Sequence, residues 1–172
     1  MGKIEGDNEK KNVNSDSSMI SKRDVARGKV LVSVCAIIQG EEHEILWIYE
    51  GDLPYHKWLV MPGGYVKPDE TIGQAVVREV KEETGINISP KKLLGIYEDF
   101  LSENDEPVHH IILAYETKVV GGRIVFSQEA SAYRWLTLKE ALSSAEIPDV
   151  FKRVLEDFGN GRERRFSLRK LF

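Results

Sequence analysis

Three glutamates within five residues are the part of this sequence best suited to chemistry. Glu79, Glu82 and Glu83 are spaced i, i+3 and i+4, so on an α-helix their side chains share one face. Like charges at this spacing destabilise an isolated helix by roughly 0.2–0.5 kcal/mol per pair. The spacing therefore predicts that a cation compensates the cluster. Because all the donors are oxygens, Mg²⁺ shared with substrate phosphates is the cation expected.

A solvated acidic helix face is the simpler interpretation of the same three residues. Arg78 and Lys81 lie close enough in sequence to form ion pairs on such a face. The preceding segment Met61-Pro62-Gly63-Gly64 weakens this interpretation, because two glycines let the backbone approach a ligand closely. A glycine-rich turn that leads into a carboxylate-bearing helix favours a metal-phosphate site.

The hydrophobic pattern predicts the elements that must position these residues. A helix is predicted over Thr71–Thr84, with Gly85 as its left-handed C-cap. Two further helices are predicted, one after the capping box Thr137–Glu140 and one from Pro148 to Gly159. Strands are predicted over Val30–Ile38, Ile45–Tyr49, Trp58–Met61, Leu93–Leu101, His109–Val120, Arg123–Phe126 and Tyr133–Leu136.

The connections between these strands predict the fold class. The first two strands are expected to form a hairpin across the polar turn Gln39–Glu42, and Gly121-Gly122 is expected to be a hairpin turn. Strands and helices do not alternate regularly along the chain. We therefore expect an α/β fold with a mixed β-sheet covered by helices on both sides.

Composition divides the chain into three parts. Residues 1–25 are polar and without periodicity, which predicts a flexible tail. Residues 26–160 are expected to form one domain, and residues 161–172 a basic extension. The net charge of −4 argues against nucleic acid as a partner. No apolar run is long enough for a membrane span.

The single cysteine, Cys35, lies in an apolar run and is predicted to be a buried hydrophobic residue. The start of the sequence has no apolar signal segment, so we expect a cytoplasmic protein.

The segment from Gly64 to Ile86 resembles the Nudix box of the Nudix hydrolases, G-x5-E-x7-R-E-U-x-E-E-x-G-U, where U is a bulky aliphatic residue. Every fixed position is filled, by Gly64, Glu70, Arg78, Glu79, Val80, Glu82, Glu83, Gly85 and Ile86. The resemblance extends over roughly residues 29–158. It implies an α/β/α sandwich and an enzyme that cleaves a phosphoanhydride bond by attack of water on phosphorus.

The resemblance also implies roles for individual residues. Glu79, Glu82 and Glu83 would hold Mg²⁺, or Mn²⁺ as a substitute, and the Gly64 carbonyl would be a further ligand. Glu70 and Arg78 would pair and brace the loop against the helix.

The residue that accepts the proton of water differs within the family. It is the glutamate at the position of Glu79 in some members and a glutamate from a later loop in others. Glu129, six residues before Trp135, is the candidate here for the base or for an added metal ligand. Glu79, Glu82 and Glu129 are therefore the expected catalytic residues.

The substrate is less well defined by the sequence. Tyr55 and Phe100 lie near predicted strand ends and are candidates for stacking on a nucleotide base. The expected substrate is a nucleoside diphosphate linked to another moiety, such as ADP-ribose or a nucleoside diphosphate sugar. A (deoxy)nucleoside triphosphate is the alternative. A catalytically silent nucleotide sensor is a third possibility, against which the three retained glutamates argue. A homodimer is compatible with the sequence.

Overall fold

The computed structural model of the chain describes residues 29–51, 58–103, 106–125 and 130–161. The predicted tail therefore lies outside the described residues, and so does the basic extension apart from residue 161. The elements, in chain order, are β1 Lys29–Ile37, β2 Ile45–Glu50, β3 Leu59–Val60, β4 Gly63–Tyr65, α1 Ile72–Thr84, β5 Ile86–Glu103, β6 Glu106–Gly122, β7 Ala130–Leu136, α2 Leu138–Ser143 and α3 Asp149–Gly159.

The strands form two sheets. The larger has the order β4-β1-β6-β5, and it is mixed because β1 runs parallel to β6 and antiparallel to β4. The smaller has the order β3-β2-β7 and is antiparallel. The predicted α/β fold class with a mixed sheet is confirmed.

Helices cover both faces of the larger sheet, because β1 is apolar on both sides. Val34 and Ala36 pack in a core cluster with residues of α1, whereas Cys35 and Ile37 pack in a second cluster with residues of α3. The contributing helix residues are Ala75, Val76 and Val80 from α1, and Val150, Phe151, Val154 and Leu155 from α3. The sheet is thus the middle layer of an α/β/α sandwich.

Local sequence signals fix the ends of α1. Thr71 caps the N-terminus in a capping box with Gln74, and Gly85 closes the C-terminus with φ of 73°. Thr137 and Glu140 form a second capping box at α2, and α3 follows Pro148 and ends at Gly159. The predicted boundaries of α1 and α3 and the predicted start of α2 are confirmed to within a residue.

The predicted hairpin between the first two strands was wrong. A single bridge between Gln39 and Ile45 joins the segments that follow β1 and precede β2. Beyond that bridge the strands diverge into different sheets. A strand has two edges, and β6 and β4 already occupy both edges of β1, so β2 has no free edge to pair with.

The predictions around Gly121-Gly122 were also wrong. These glycines end β6 and pair with Asn87 and Ile86 instead of forming a turn. Gly122 has φ of 87°, and a Cβ there would lie 2.5 Å from the carbonyl oxygen of Gly85. The strand expected next does not form over residues 123–125, where the Val125 amide donates to the carbonyl at the end of α1. The rest of that prediction, Phe126, lies outside the described residues.

Candidate active site

The Glu79 carboxylate packs directly over Gly64. A Cβ placed on Gly64 would lie 2.6 Å from Glu79 Cδ and 2.8 Å from each carboxylate oxygen. Gly64 is held there by its pairing with Val34 between β4 and β1. The absence of a side chain at this position is therefore what allows the helix carboxylate to reach the strand.

A second helix carboxylate is fixed to the same turn. Glu83 is only 6% exposed, and its Oε2 accepts a hydrogen bond of 2.8 Å from the Gly63 amide. Charge-assisted bonds of this kind are stronger than those between neutral groups. The two glycines thus bring two carboxylates of α1 against one short strand.

Arg78 braces the loop that leads into α1. Its Nε and Nη2 donate to the two oxygens of Glu70, at 2.8 and 2.5 Å, and Nη2 also donates to the Tyr65 carbonyl at 3.1 Å. The guanidinium, helped by the Lys67 amide, lowers the pKa of Glu70 to about 2. The pair that joins these residues therefore persists throughout the neutral and mildly acidic range.

The remaining nitrogen of Arg78 faces the helix carboxylates. Nη1 lies 2.6 Å from Glu79 Oε1 and 2.9 Å from Glu82 Oε2. Burial raises the pKa of Glu79, and Arg78 opposes this rise. Glu82 is about half exposed and shares the Nη1 nitrogen of Arg78 with Glu79. The described contacts thus join Glu70, Glu79 and Glu82 through one arginine.

Comparison with known proteins assigns the chain to a family. The NUDIX domain model matches residues 29–158. The chain belongs to the Nudix family. An ADP-ribose pyrophosphatase of Methanocaldococcus jannaschii is 32% identical over 124 residues, which cover 70% of this chain and 72% of that protein. A putative 8-oxo-dGTP diphosphatase of Bacillus subtilis is 29% identical over 128 residues, covering 74% and 78%.

Solved structures agree with the family assignment. The MutT protein from Methanosarcina mazei Go1 superimposes with a TM-score of 0.71 at 29% identity, over 78% of this chain and 96% of that one. The chain is therefore a Nudix hydrolase, an enzyme that acts on pyrophosphate bonds in nucleotide derivatives. Among the described residues, no helix has the length and apolar character needed to span a bilayer.

The donors of this Nudix hydrolase fit a hard divalent cation, the kind of ion that the family generally uses. Glu79, Glu82 and Glu83 offer only oxygen, and two of them lie against the Gly63-Gly64 strand. Within the described ranges, however, no three acidic, histidine or cysteine side chains converge as a ready-made metal site. In the structure, the Arg78 guanidinium and the Gly63 amide bind carboxylate oxygens of these residues.

Of the other residues predicted for the site, Phe100 alone lies within the described residues, and it is not brought to the carboxylates. Glu129 and Tyr55 lie outside the described residues. Phe100 is 73% exposed on β5 and stacks on His109 with ring centroids 4.6 Å apart. Since β1 and β6 separate β5 from β4, Phe100 lies at the opposite edge of the sheet from Gly64.

The sequence did not single out Tyr65 as part of this region. Its carbonyl accepts from Arg78, while its ring lies 5.7 Å from the ring of His110. His110 is 4% exposed, lies 2.7 Å from the Ser33 hydroxyl, and has a pKa lowered by burial. The alternation of a strand predicted that one of the two neighbouring histidines faces inward, but it carried no signal for this contact with Tyr65.

Proposed function

We propose that this Nudix hydrolase uses Mg²⁺, or Mn²⁺ as a substitute, to cleave the phosphoanhydride of a nucleoside diphosphate linked to another moiety, such as ADP-ribose or a nucleoside diphosphate sugar. The observation that carries the proposal is the placement of the Glu79 and Glu83 carboxylates against the Gly63-Gly64 strand. The similarity to the Methanocaldococcus jannaschii ADP-ribose pyrophosphatase supports this substrate class.

The residues around this strand would have different roles in catalysis. Glu79, Glu82 and Glu83, with the Gly64 carbonyl, would hold the cation. When bound, the cation would neutralise the diphosphate and make the attacking water more acidic. Glu70 holds Arg78 by both oxygens, and this keeps the loop and α1 in a fixed relation while the substrate binds.

Two residues compete for the role of the base. Glu79 is one candidate, because the rigid helix keeps its carboxylate in place beside the Gly63-Gly64 strand. Glu129 is the alternative, because in some family members the base is a glutamate from the loop before a strand that contains tryptophan. Glu129 resembles that glutamate in its position before Trp135. We assign the role of the base to Glu79, and Glu129 is the alternative base or an added metal ligand.

Matched substitutions separate these two candidates. If Glu79 is the base, Glu79→Gln should remove the acidic limb of the pH–rate profile, and Glu129→Gln should leave that limb and kcat near wild type. If Glu129→Gln instead lowers kcat strongly with little change in KM, and alone removes the limb, the assignment to Glu79 is wrong.

A (deoxy)nucleoside triphosphate is the second candidate substrate, supported by the similarity to the putative 8-oxo-dGTP diphosphatase. A panel of ADP-ribose, nucleoside diphosphate sugars, and ordinary and oxidised triphosphates, incubated with Mg²⁺ and analysed by mass spectrometry, tests both. AMP with ribose 5-phosphate from ADP-ribose is the expected result. Faster release of a nucleoside monophosphate and pyrophosphate from a triphosphate would favour the second candidate. Tight binding of panel members with no turnover would indicate a silent sensor and reject the hydrolase.

A further inference from the structure

A cationic side chain of the protein itself lies among the carboxylates of the site. We propose that the Nη1 edge of Arg78 is an internal counter-ion that competes with the divalent cation for Glu79 and Glu82. In this role it keeps the metal-free carboxylates together and lowers the affinity for metal. The inference rests on the proposed function, since it concerns the same carboxylates.

The guanidinium is divided between two tasks. Nε and Nη2 contact the loop, through both oxygens of Glu70 and the Tyr65 carbonyl. Nη1 contacts only helix carboxylates among its described partners, Glu79 at 2.6 Å and Glu82 at 2.9 Å. Because different nitrogens serve the two sides, Nη1 can lose its carboxylates while the bond to Glu70 holds the side chain in place.

Neither Lys81 of α1 nor Lys67 of the preceding loop takes this position. Lys81 donates to the Gly85 carbonyl at 3.0 Å, at the end of the helix. Lys67 lies near enough to act on the charges of Glu70 and Glu79, but the hydrogen bond described between this residue and Glu70 comes from its main chain. The side chain of Arg78 is only 20% exposed, so solvent screens its contacts incompletely.

The energetic consequence follows from charge. A divalent ion that takes oxygens of Glu79 and Glu82 is placed beside a guanidinium within hydrogen-bond reach of the same carboxylates, and the two cations repel. The ion must also replace contacts that already satisfy these oxygens. Both effects weaken metal binding.

Mn²⁺ affinity without substrate tests this competition directly. Titration of Arg78→Gln by isothermal calorimetry or electron paramagnetic resonance should give a Kd at least several-fold lower than wild type. In the same variant kcat should fall, because the brace is lost, and the metal-free melting temperature should fall as well. Tighter metal binding by a slower enzyme is not expected of a residue that is only structural.

Two controls sharpen the result. Glu70→Gln weakens the loop side of Arg78 but keeps the guanidinium, so its Mn²⁺ Kd should not fall. Arg78→Lys keeps the positive charge but lacks the planar guanidinium with its several N–H donors. Its Mn²⁺ Kd should stay near wild type. A Kd for Arg78→Gln that is unchanged or higher would overturn the proposal.

A measurement on wild-type protein covers the case in which the variant does not fold. In ¹⁵N–¹H spectra of the arginine side chains, saturating Mg²⁺ should shift the Nη1 resonances of Arg78 and leave its Nε resonance in place. Nη1 resonances that do not respond would contradict the competition. Wild-type protein that binds no Mn²⁺ and turns over no nucleotide would instead reject the proposed function itself.

Discussion

Glycine is needed at positions 63 and 64 for two different reasons. A Cβ on Gly64 would meet the flexible end of Glu79, whereas a Cβ on Gly63 would lie 2.0 Å from the main-chain oxygen of Val34. A side-chain end can move aside, but a paired strand cannot move without losing its ladder. The first glycine of the pair therefore protects the fold, and the second leaves room for the carboxylate.

The two alanine substitutions should give opposite results. Gly64→Ala should reduce kcat by about 10²-fold, because it displaces Glu79, and should change the melting temperature little. Gly63→Ala should lower the melting temperature by several degrees, because it disrupts the pairing of β1 with β4. Steady-state rates with Mg²⁺ and differential scanning calorimetry check both. Wild-type kcat in Gly64→Ala would contradict the role given to this contact.

The helix carboxylates should be needed for rate and not for folding. Glu82→Gln and Glu83→Gln should each lower kcat by about 10²-fold or more. Glutamine at position 83 keeps an oxygen for the Gly63 amide, so the fold should survive. Glu116→Gln, at an exposed ion pair with Lys91, is the matched control and should leave kcat unchanged. Variants of the helix that keep wild-type kcat would place the chemistry elsewhere.

At the scale of elements, α1 was predictable and the sheet pairing was not. The capping box at Thr71 and the left-handed Gly85 are local signals, so they can be read from neighbouring residues. The strand β4 has only three residues and exists because β1 pairs with it. Such a partner is chosen by contacts distant in sequence, which is also why the hairpin prediction for β1 and β2 was wrong.

The brace between Glu70 and Arg78 should be lost only in strong acid. Because the pKa of Glu70 is lowered from 4.5 to about 2, the folded protein binds this proton less readily than the unfolded chain does. Its contribution to stability is therefore complete above about pH 4.5 and disappears as pH falls through about 2. The difference in melting temperature between wild type and Glu70→Gln should shrink over this window. A difference that stays constant down to pH 2 would contradict the assignment.

For the whole molecule, the family match and the polar composition both divide the chain near residue 29. The motif predicted the family, the α/β/α layers and the residues that cluster on α1. It could not predict that the strands split into two sheets, or that Arg78 joins Glu79 to Glu82, because both depend on three-dimensional packing. The cytoplasmic location and the homodimer remain predictions.

Deletion of residues 1–25 should leave kcat and the melting temperature nearly unchanged, because this segment has too little apolar surface to stabilise the domain. Deletion of residues 1–34 is the control. It removes much of β1, which pairs on both sides, and should abolish folding. A large loss of stability in the shorter deletion would mean that the tail packs on the domain or across a dimer.

Hydrolysis in H₂¹⁸O tests the central claim most directly. With Mg²⁺ and ADP-ribose, or the best substrate of the panel, we expect ¹⁸O in the phosphate group of a product, because water attacks phosphorus and the phosphoanhydride bond breaks. Excess chelator should abolish the reaction, and added Mg²⁺ should restore it. Label found in a sugar hydroxyl and not in phosphate, or full activity in excess chelator, would contradict a metal-dependent attack on phosphorus.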